Sequence, residues 1–173
     1  MMEPIVESGM QFGIYPDENV FCIEKSSQYQ QKLMPNGVKS CEFILLRDNT
    51  LFFVEAKTSN PKEITADTPE DKKKKYNEYI VEIVDKMKHS VLLYANILLC
   101  RYDSSGVSAK LMQRDLSDKK IKLVLVVKNA EKEWLMPLQE KLRSELRVFC
   151  ALWKINGLFV INELTARQKH FVI

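Results

Sequence analysis

Glycine is scarce. Only five occur in 173 residues, widely scattered, so no GxGxxG or GxxxxGK phosphate loop can be drawn. Histidine is rarer still, with two, and the four cysteines (Cys22, Cys41, Cys100, Cys150) show no C-x₂-C spacing, which argues against a zinc site. There is no Gly-x-Ser-x-Gly elbow and no Cys–His arrangement, so nucleophilic hydrolase chemistry has no visible carrier. No apolar run approaches the ~20 residues of a membrane span, so no membrane partner is expected. The start, MMEPIVESGM, carries acids and no basic region, unlike a secretory signal. The net charge of +3 is mild and does not by itself make a nucleic-acid footprint. No internal repeat is visible.

What is present is a globular composition. Apolar residues make up 46% of the chain, enough for a core within one domain over residues 1–173. Scattered cysteines in apolar surroundings read as small buried hydrophobes in a reducing cytoplasm. The most informative stretch is KSCEFILLRDNTLFFVEAKTSNP, residues 39–61. Two apolar strands, 41–47 and 51–57, flank Asp48 and Asn49, residue types that tolerate the left-handed backbone of a tight hairpin. A two-residue loop pairs Arg47 with Thr50, Leu46 with Leu51 and Ile44 with Phe53, and would set Glu42 directly opposite Glu55. Alternation along the strand puts Glu42, Glu55 and Lys57 on one face. Directly opposed residues have Cβ atoms about 4.5–5.5 Å apart, so the two acids repel unless a cation lies between them. Carboxylate oxygens are what Mg²⁺ prefers. The bland alternative is a surface Glu–Lys pair worth little; the abutting apolar runs 43–46 and 52–54 favour the site.

An acid, a turn, and a second apolar strand ending in Glu-x-Lys resembles the PD-(D/E)XK nuclease superfamily, with Glu42, Glu55 and Lys57 on the core motif and Ser59 just after it. The first acid here is Glu42 after Cys41, where the family usually has Asp after Pro. The resemblance implies a restriction-endonuclease-like α/β sandwich: a mixed central sheet carrying the active-site hairpin, with flanking helices. It implies a Mg²⁺ or Mn²⁺ ion on Glu42, Glu55 and the Ala56 carbonyl. Lys57 would orient or help deprotonate the attacking water and stabilise the transition state. The reaction implied is hydrolysis of DNA leaving a 5′-phosphate. Members often carry a further acid before the hairpin, and Glu24 is the candidate; otherwise it is an exposed glutamate at a helix start.

The rest of the chain reads as follows. Residues 11–15 could form a short strand, and 24–33 a short helix closed by Pro35, Asn36 and Gly37. Thr68, Pro69 and Asp71 give a helix start, with Thr68 as cap. Apolar positions from Tyr76 to Leu98 recur at helical spacing, which predicts a long helix over 69–100. Its polar face carries Glu78, Glu82, Lys86 and His89. Lys72, Lys73, Lys74 and Lys75 near its start are either a solvated turn or a patch that steers DNA phosphates. Residues 101–119 read as a loop that could shape a groove, 121–127 as a strand buried on both faces, 134–153 as a helix with Pro137 in its first turn, 158–161 as a short strand and 165–169 as a basic tail. Trp134 and Trp153 read as core. A helical crossover between strands favours parallel neighbours, hence a mixed sheet.

Three functions are open on this reading. The first is a metal-dependent deoxyribonuclease. The second is a catalytically inactive module on the same fold that binds nucleic acid or a partner protein. The third is a subunit whose DNA specificity comes from a partner, or a homodimer.

Overall fold

The computed structural model describes residues 3–113 and 115–173. The N-terminal stretch holds two short strands, β1 (Val6–Glu7) and β2 (Met10–Gln11), paired antiparallel. β3 (Val20–Phe21) follows, and then β4 (Phe43–Arg47) and β5 (Thr50–Lys57) form the hairpin. A 29-residue helix, α1 (Glu70–Leu98), leads to β6 (Lys120–Val127), and α2 (Lys132–Leu152) leads to β7 (Gly157–Asn162). A last short helix, α3 (Glu163–Gln168), closes the fold. The chain is thus α/β, with one five-stranded mixed sheet in the order β3-β4-β5-β6-β7. β3, β4 and β5 are antiparallel, whereas β5, β6 and β7 are parallel. α1 and α2 are the crossovers that parallel pairing requires.

The hairpin has the expected register from Arg47–Thr50 to Phe43–Val54. Asp48 and Asn49 both adopt positive φ (48° and 58°), as a turn matched to strand twist needs. The ladder then stops one step short of a Glu42–Glu55 pair. The Glu42 N–H donates to the Val54 carbonyl (3.0 Å), the Cys41 N–H goes to Ser90 Oγ (2.7 Å), and the Ala56 carbonyl accepts Ser8 Oγ (3.0 Å). Two serines thus replace the backbone partners, and the strands part beside the acids.

β5 lies at the centre of the sheet and is covered on both faces. Leu51 and Phe53 face α1 and α2, in a core with Ile83, Met87, Ile97, Leu125 and Leu142. Phe52, Val54 and Ala56 face the other way, against Met10, Phe12, Phe171 and Val172. The chain ends meet on that second face: Gly13 N–H donates to the Phe171 carbonyl (3.0 Å) and Ile173 N–H to the Gln11 carbonyl (2.8 Å).

Several local expectations change. Residues 24–33 do not form one helix. Helical turns begin at Ser27, with a π-helical stretch Tyr29–Leu33 and a 3₁₀ turn Met34–Asn36 that ends at Gly37 in the left-handed region. Thr68 does not cap α1; its hydroxyl accepts the Thr65 N–H (2.8 Å), and Pro69 occupies the cap position. α2 starts earlier than expected, so Pro137 lies in its second turn. The stretch over 165–169 is not a free tail but most of α3, capped by the Asn162 side chain accepting the Thr165 N–H (3.0 Å). Residues 11–15 contribute only Gln11 to a strand, with Phe12 bridged to Val172. Trp153 packs against the core, whereas half-buried Trp134 sits beneath Lys62 (5.2 Å). Cys41 is buried, Cys22 and Cys150 are half-buried, and Cys100 is exposed, so the cysteines are not uniformly core. Among the described residues no helix is long and apolar enough to cross a membrane.

Candidate active site

Where β4 and β5 part, four acids and two lysines meet. Glu55 comes from the end of β5 and is fully buried (0% exposed). Glu42 comes from the residue before β4, and Glu24 from the turn after β3. Opposite them, α1 presents Tyr79, Glu82, Lys86 and Ser90 at spacings of three and four, one stripe of the helix. Lys86 Nζ lies 2.9 Å from Glu55 Oε1, 3.2 Å from Glu24 Oε1 and 3.9 Å from Glu42 Oε1. Lys57 Nζ lies 3.5 Å from Glu55 Oε1 and donates to Glu82 Oε1 at 2.6 Å. The fold therefore brings together Glu24, Glu42, Glu55 and Lys57, the four residues expected to act in catalysis.

In the sequence Glu82 and Lys86 belong only to a polar helix face, and the structure places both in the cluster. Their signal is periodic: positions 79, 82, 86 and 90 continue the core stripe of α1, so polar residues there point at the sheet. Ser90 is fully buried and ties two elements, donating to the Lys86 carbonyl (2.7 Å) while accepting the Cys41 N–H.

The electrostatics follow from dryness. Burial, with Glu55 and then Glu24 nearby, pushes Glu42 up to about 8 despite Lys86. Burial pushes Glu55 up to about 7, against the pull of Lys86 and Lys57. Burial disfavours the Lys86 ammonium, but Glu55, Glu24 and Glu42 together outweigh it and raise its pKa. Burial also opposes ionisation of Glu82, yet the hydrogen bond from Lys57 wins and holds that carboxyl below the ordinary range. Glu82 is thus an ionised anchor for Lys57 at neutral pH. Burial of its hydroxyl, with Glu55 and Glu82 nearby, raises the half-buried Tyr79.

Both Glu55 oxygens, Glu42 Oε2 and the Tyr79 hydroxyl are buried without a hydrogen-bond partner. The Lys86–Glu55 contact at 2.9 Å is an ion pair that lacks hydrogen-bond alignment. Unpartnered buried carboxylate oxygens are the donors a hard cation takes. Among the described residues, however, no group of three or more His, Cys, Asp or Glu is arranged to hold a metal ion. The Ala56 carbonyl, the third expected ligand, already accepts Ser8 Oγ. Glu42 and Glu55 are the two carboxylates here that could hold an ion, with water completing its shell, as Mg²⁺ is commonly bound.

The lysine run is on the first turns of α1, about 10–20 Å along the axis from Glu82 and Lys86 at 1.5 Å per residue. Lys73 pairs with Glu70 (2.9 Å) and Lys74 with Glu78 (3.9 Å). A shallow cavity of about 610 Å³ there is lined by Lys39, Lys73 and Lys74 but also by Glu70 and Glu78, so the surface is mixed in sign.

No family model, curated protein or solved structure matches the chain.

A pH dependence follows from the two raised carboxyls. Their folded pKa values lie above the unfolded value, so between about pH 4.5 and 8 the native state binds more protons than the unfolded state. Stability then falls as pH rises through that window. The thermal midpoint of the metal-free protein is expected to be lower at pH 8.5 than at pH 5.5 by at least about 5 °C. Saturating Mn²⁺ should flatten the slope by taking over charge neutralisation. A midpoint that rises across the same window in chelator would show that the acids are not held as described.

Proposed function

We propose that this protein is a metal-dependent nuclease acting on DNA, built on a restriction-endonuclease-like PD-(D/E)XK core. The observation that carries the reading is the convergence of Glu24 with Glu42 and Glu55, the latter two with buried oxygens that lack a hydrogen-bond partner, beside a lysine held in place by its own acid. The strand arrangement supports it: an antiparallel β3-β4-β5 meander, a helix, then a parallel β6 next to β5 is the layout such a core needs.

A divalent ion bound at Glu42 and Glu55 would acidify a water and neutralise charge building on the phosphodiester. The chain supplies the rest. Glu82 holds the Lys57 ammonium at the mouth of the cluster, where it can donate to the charge that develops on the phosphoryl oxygens. Glu55 itself has no solvent exposure, and a low local dielectric strengthens the charge interactions it makes.

The test is incubation of duplex DNA, single-stranded DNA and RNA with the protein in Mg²⁺ or Mn²⁺, beside Lys57→Met. Expected is DNA cleavage leaving 5′-phosphate ends, slowed about 10²–10³-fold in the variant, the usual cost of one lost transition-state donor. Mn²⁺ binding should persist and tighten modestly, because an ammonium 3.5 Å from Glu55 Oε1 is gone. Folded, Mn²⁺-bound protein that cuts none of these substrates would end the nuclease reading.

One observation favours the second reading, a binding module without turnover. The Lys86 ammonium lies within 3.9 Å of all three acids, where it can itself serve as their cation. A module of that kind would bind DNA or a partner protein with equal affinity in chelator and in Mn²⁺.

A further inference from the structure

On the opposite face of the sheet from the glutamates, at the end nearest the hairpin turn, lies a cavity of about 260 Å³. Three cations, Arg47, Lys122 and Lys169, and three rings, Phe52, Phe159 and Phe171, line it. Its floor is apolar, formed by Val124 and Ile161. No acid lines it, and among the described residues none of the three cations forms an ion pair. Such a concentration of unpaired positive charge over an apolar floor asks for an anion with a flat apolar part.

The walls are held in position. The Arg47 guanidinium sits over the Phe171 ring (4.5 Å) and near Phe52 (5.2 Å), and it donates to the His170 carbonyl (3.1 Å). Phe52 and Phe171 meet edge to face at 5.2 Å. Lys122 Nζ is 5.7 Å from both the Phe52 and the Phe159 rings, near the outer limit of a useful cation–π contact, so its charge is only loosely engaged. The register puts Phe52, Lys122 and Gly157 in one row across β5, β6 and β7. The missing side chain at Gly157 is what admits the Phe159 ring: a Cβ there would lie 2.6 Å from its edge. Of the three rings, half-buried Phe159 is the most accessible.

We infer that this cleft binds one nucleotide unit, with its base against Phe159 and its phosphate taken by Arg47, Lys122 and Lys169. Stacking on an aromatic ring beside cations that take the phosphate is how proteins hold single-stranded bases without reading sequence. The volume, just below the usual range for small-molecule sites, suits a mononucleotide rather than a dinucleotide. The nucleotide can be free or the end of a single strand. The site stands apart from the glutamate cluster and does not depend on nuclease activity.

The test is calorimetric titration of the whole chain, in chelator so that the glutamate cluster takes no part. The probes are AMP, adenosine, inorganic phosphate and a short 5′-phosphorylated oligodeoxyadenylate. AMP is expected to bind at least about tenfold more tightly than adenosine or phosphate alone. Lys122→Gln, a change at a half-exposed side chain, should weaken AMP about tenfold, as expected for a lost charged hydrogen bond. Gly157→Ala should weaken AMP while leaving phosphate binding unchanged, because it displaces the ring and no charge. Tighter binding of the oligonucleotide than of AMP, with the same Lys122→Gln loss, assigns the strand end; equal affinities assign the free nucleotide. The inference is overturned if AMP binds no more tightly than phosphate, if well-folded Lys122→Gln matches the wild type, or if millimolar AMP does not bind.

Discussion

Glu55→Gln should lose DNA cleavage by at least about 10³-fold while remaining folded, a loss in the range of a removed electrostatic group in a dry site. The expectation rests on where Glu55 sits. It is fully buried at the end of the central strand, neither of its oxygens has a hydrogen-bond partner, and two ammonium groups lie within 3.5 Å of Oε1. An amide keeps its shape but is a poorer ligand for a hard cation, so the candidate ion loses one of its two carboxylates. Stability should scarcely change. The native state no longer has to desolvate that carboxylate, and Lys86 keeps Glu24 at 3.2 Å and Glu42 at 3.9 Å. The thermal midpoint at pH 8 should therefore stay within about 5 °C of wild type, roughly 1–2 kcal/mol for a chain of this size. Cleavage within tenfold of wild type would remove Glu55 from the chemistry.

Lys86→Met should have the opposite profile, with a large stability effect that depends on pH and on metal. The Lys86 side chain is only 12% exposed and, among the described residues, is the one cation within 4 Å of Glu24, Glu42 and Glu55 together. Removing one partner of a buried ion pair costs about 3–5 kcal/mol, because the other charge stays behind unpaired. For this chain length that is about 6–20 °C in thermal midpoint at pH 8. The loss should shrink toward pH 5.5. There Glu42 and Glu55, already raised by burial, take up protons and need no counter-charge. Mn²⁺ should restore most of the midpoint at pH 8 and bind more tightly than to wild type, since no ammonium competes. If Mn²⁺ fails to rescue the variant, Lys86 is a permanent structural cation and the binding-module reading gains.

Much of this architecture was legible in the sequence, for identifiable reasons. The hairpin was readable because Asp48 and Asn49 suit positive φ and because a two-residue loop fixes every pair up to Phe43–Val54. α1 was readable because its apolar positions keep helical period over 29 residues. The end of the ladder was not readable. It depends on Ser8 and Ser90 taking backbone partners from 48 and 49 residues away, which no local pattern records. Lys86 carried only the periodic signal of its place on the α1 stripe, which names no partner. A lysine on a helix rich in Lys and Glu looks solvated until the fold sets it against three acids. α3 was missed because its signal lies in a single Asn162 cap, and because Phe171 and Val172 are buried by contacts distant in sequence, with Met10, Phe12 and Phe52.

Calorimetric titration of Mn²⁺ into the wild type and Glu55→Gln at pH 8 tests the carboxylate site most directly. The expected result is one ion bound per chain in the wild type, with the heat abolished in the variant. No binding to folded wild-type protein, with or without duplex DNA, would contradict it and leave the Lys86 and Lys57 ammonium groups as the cations those glutamates hold.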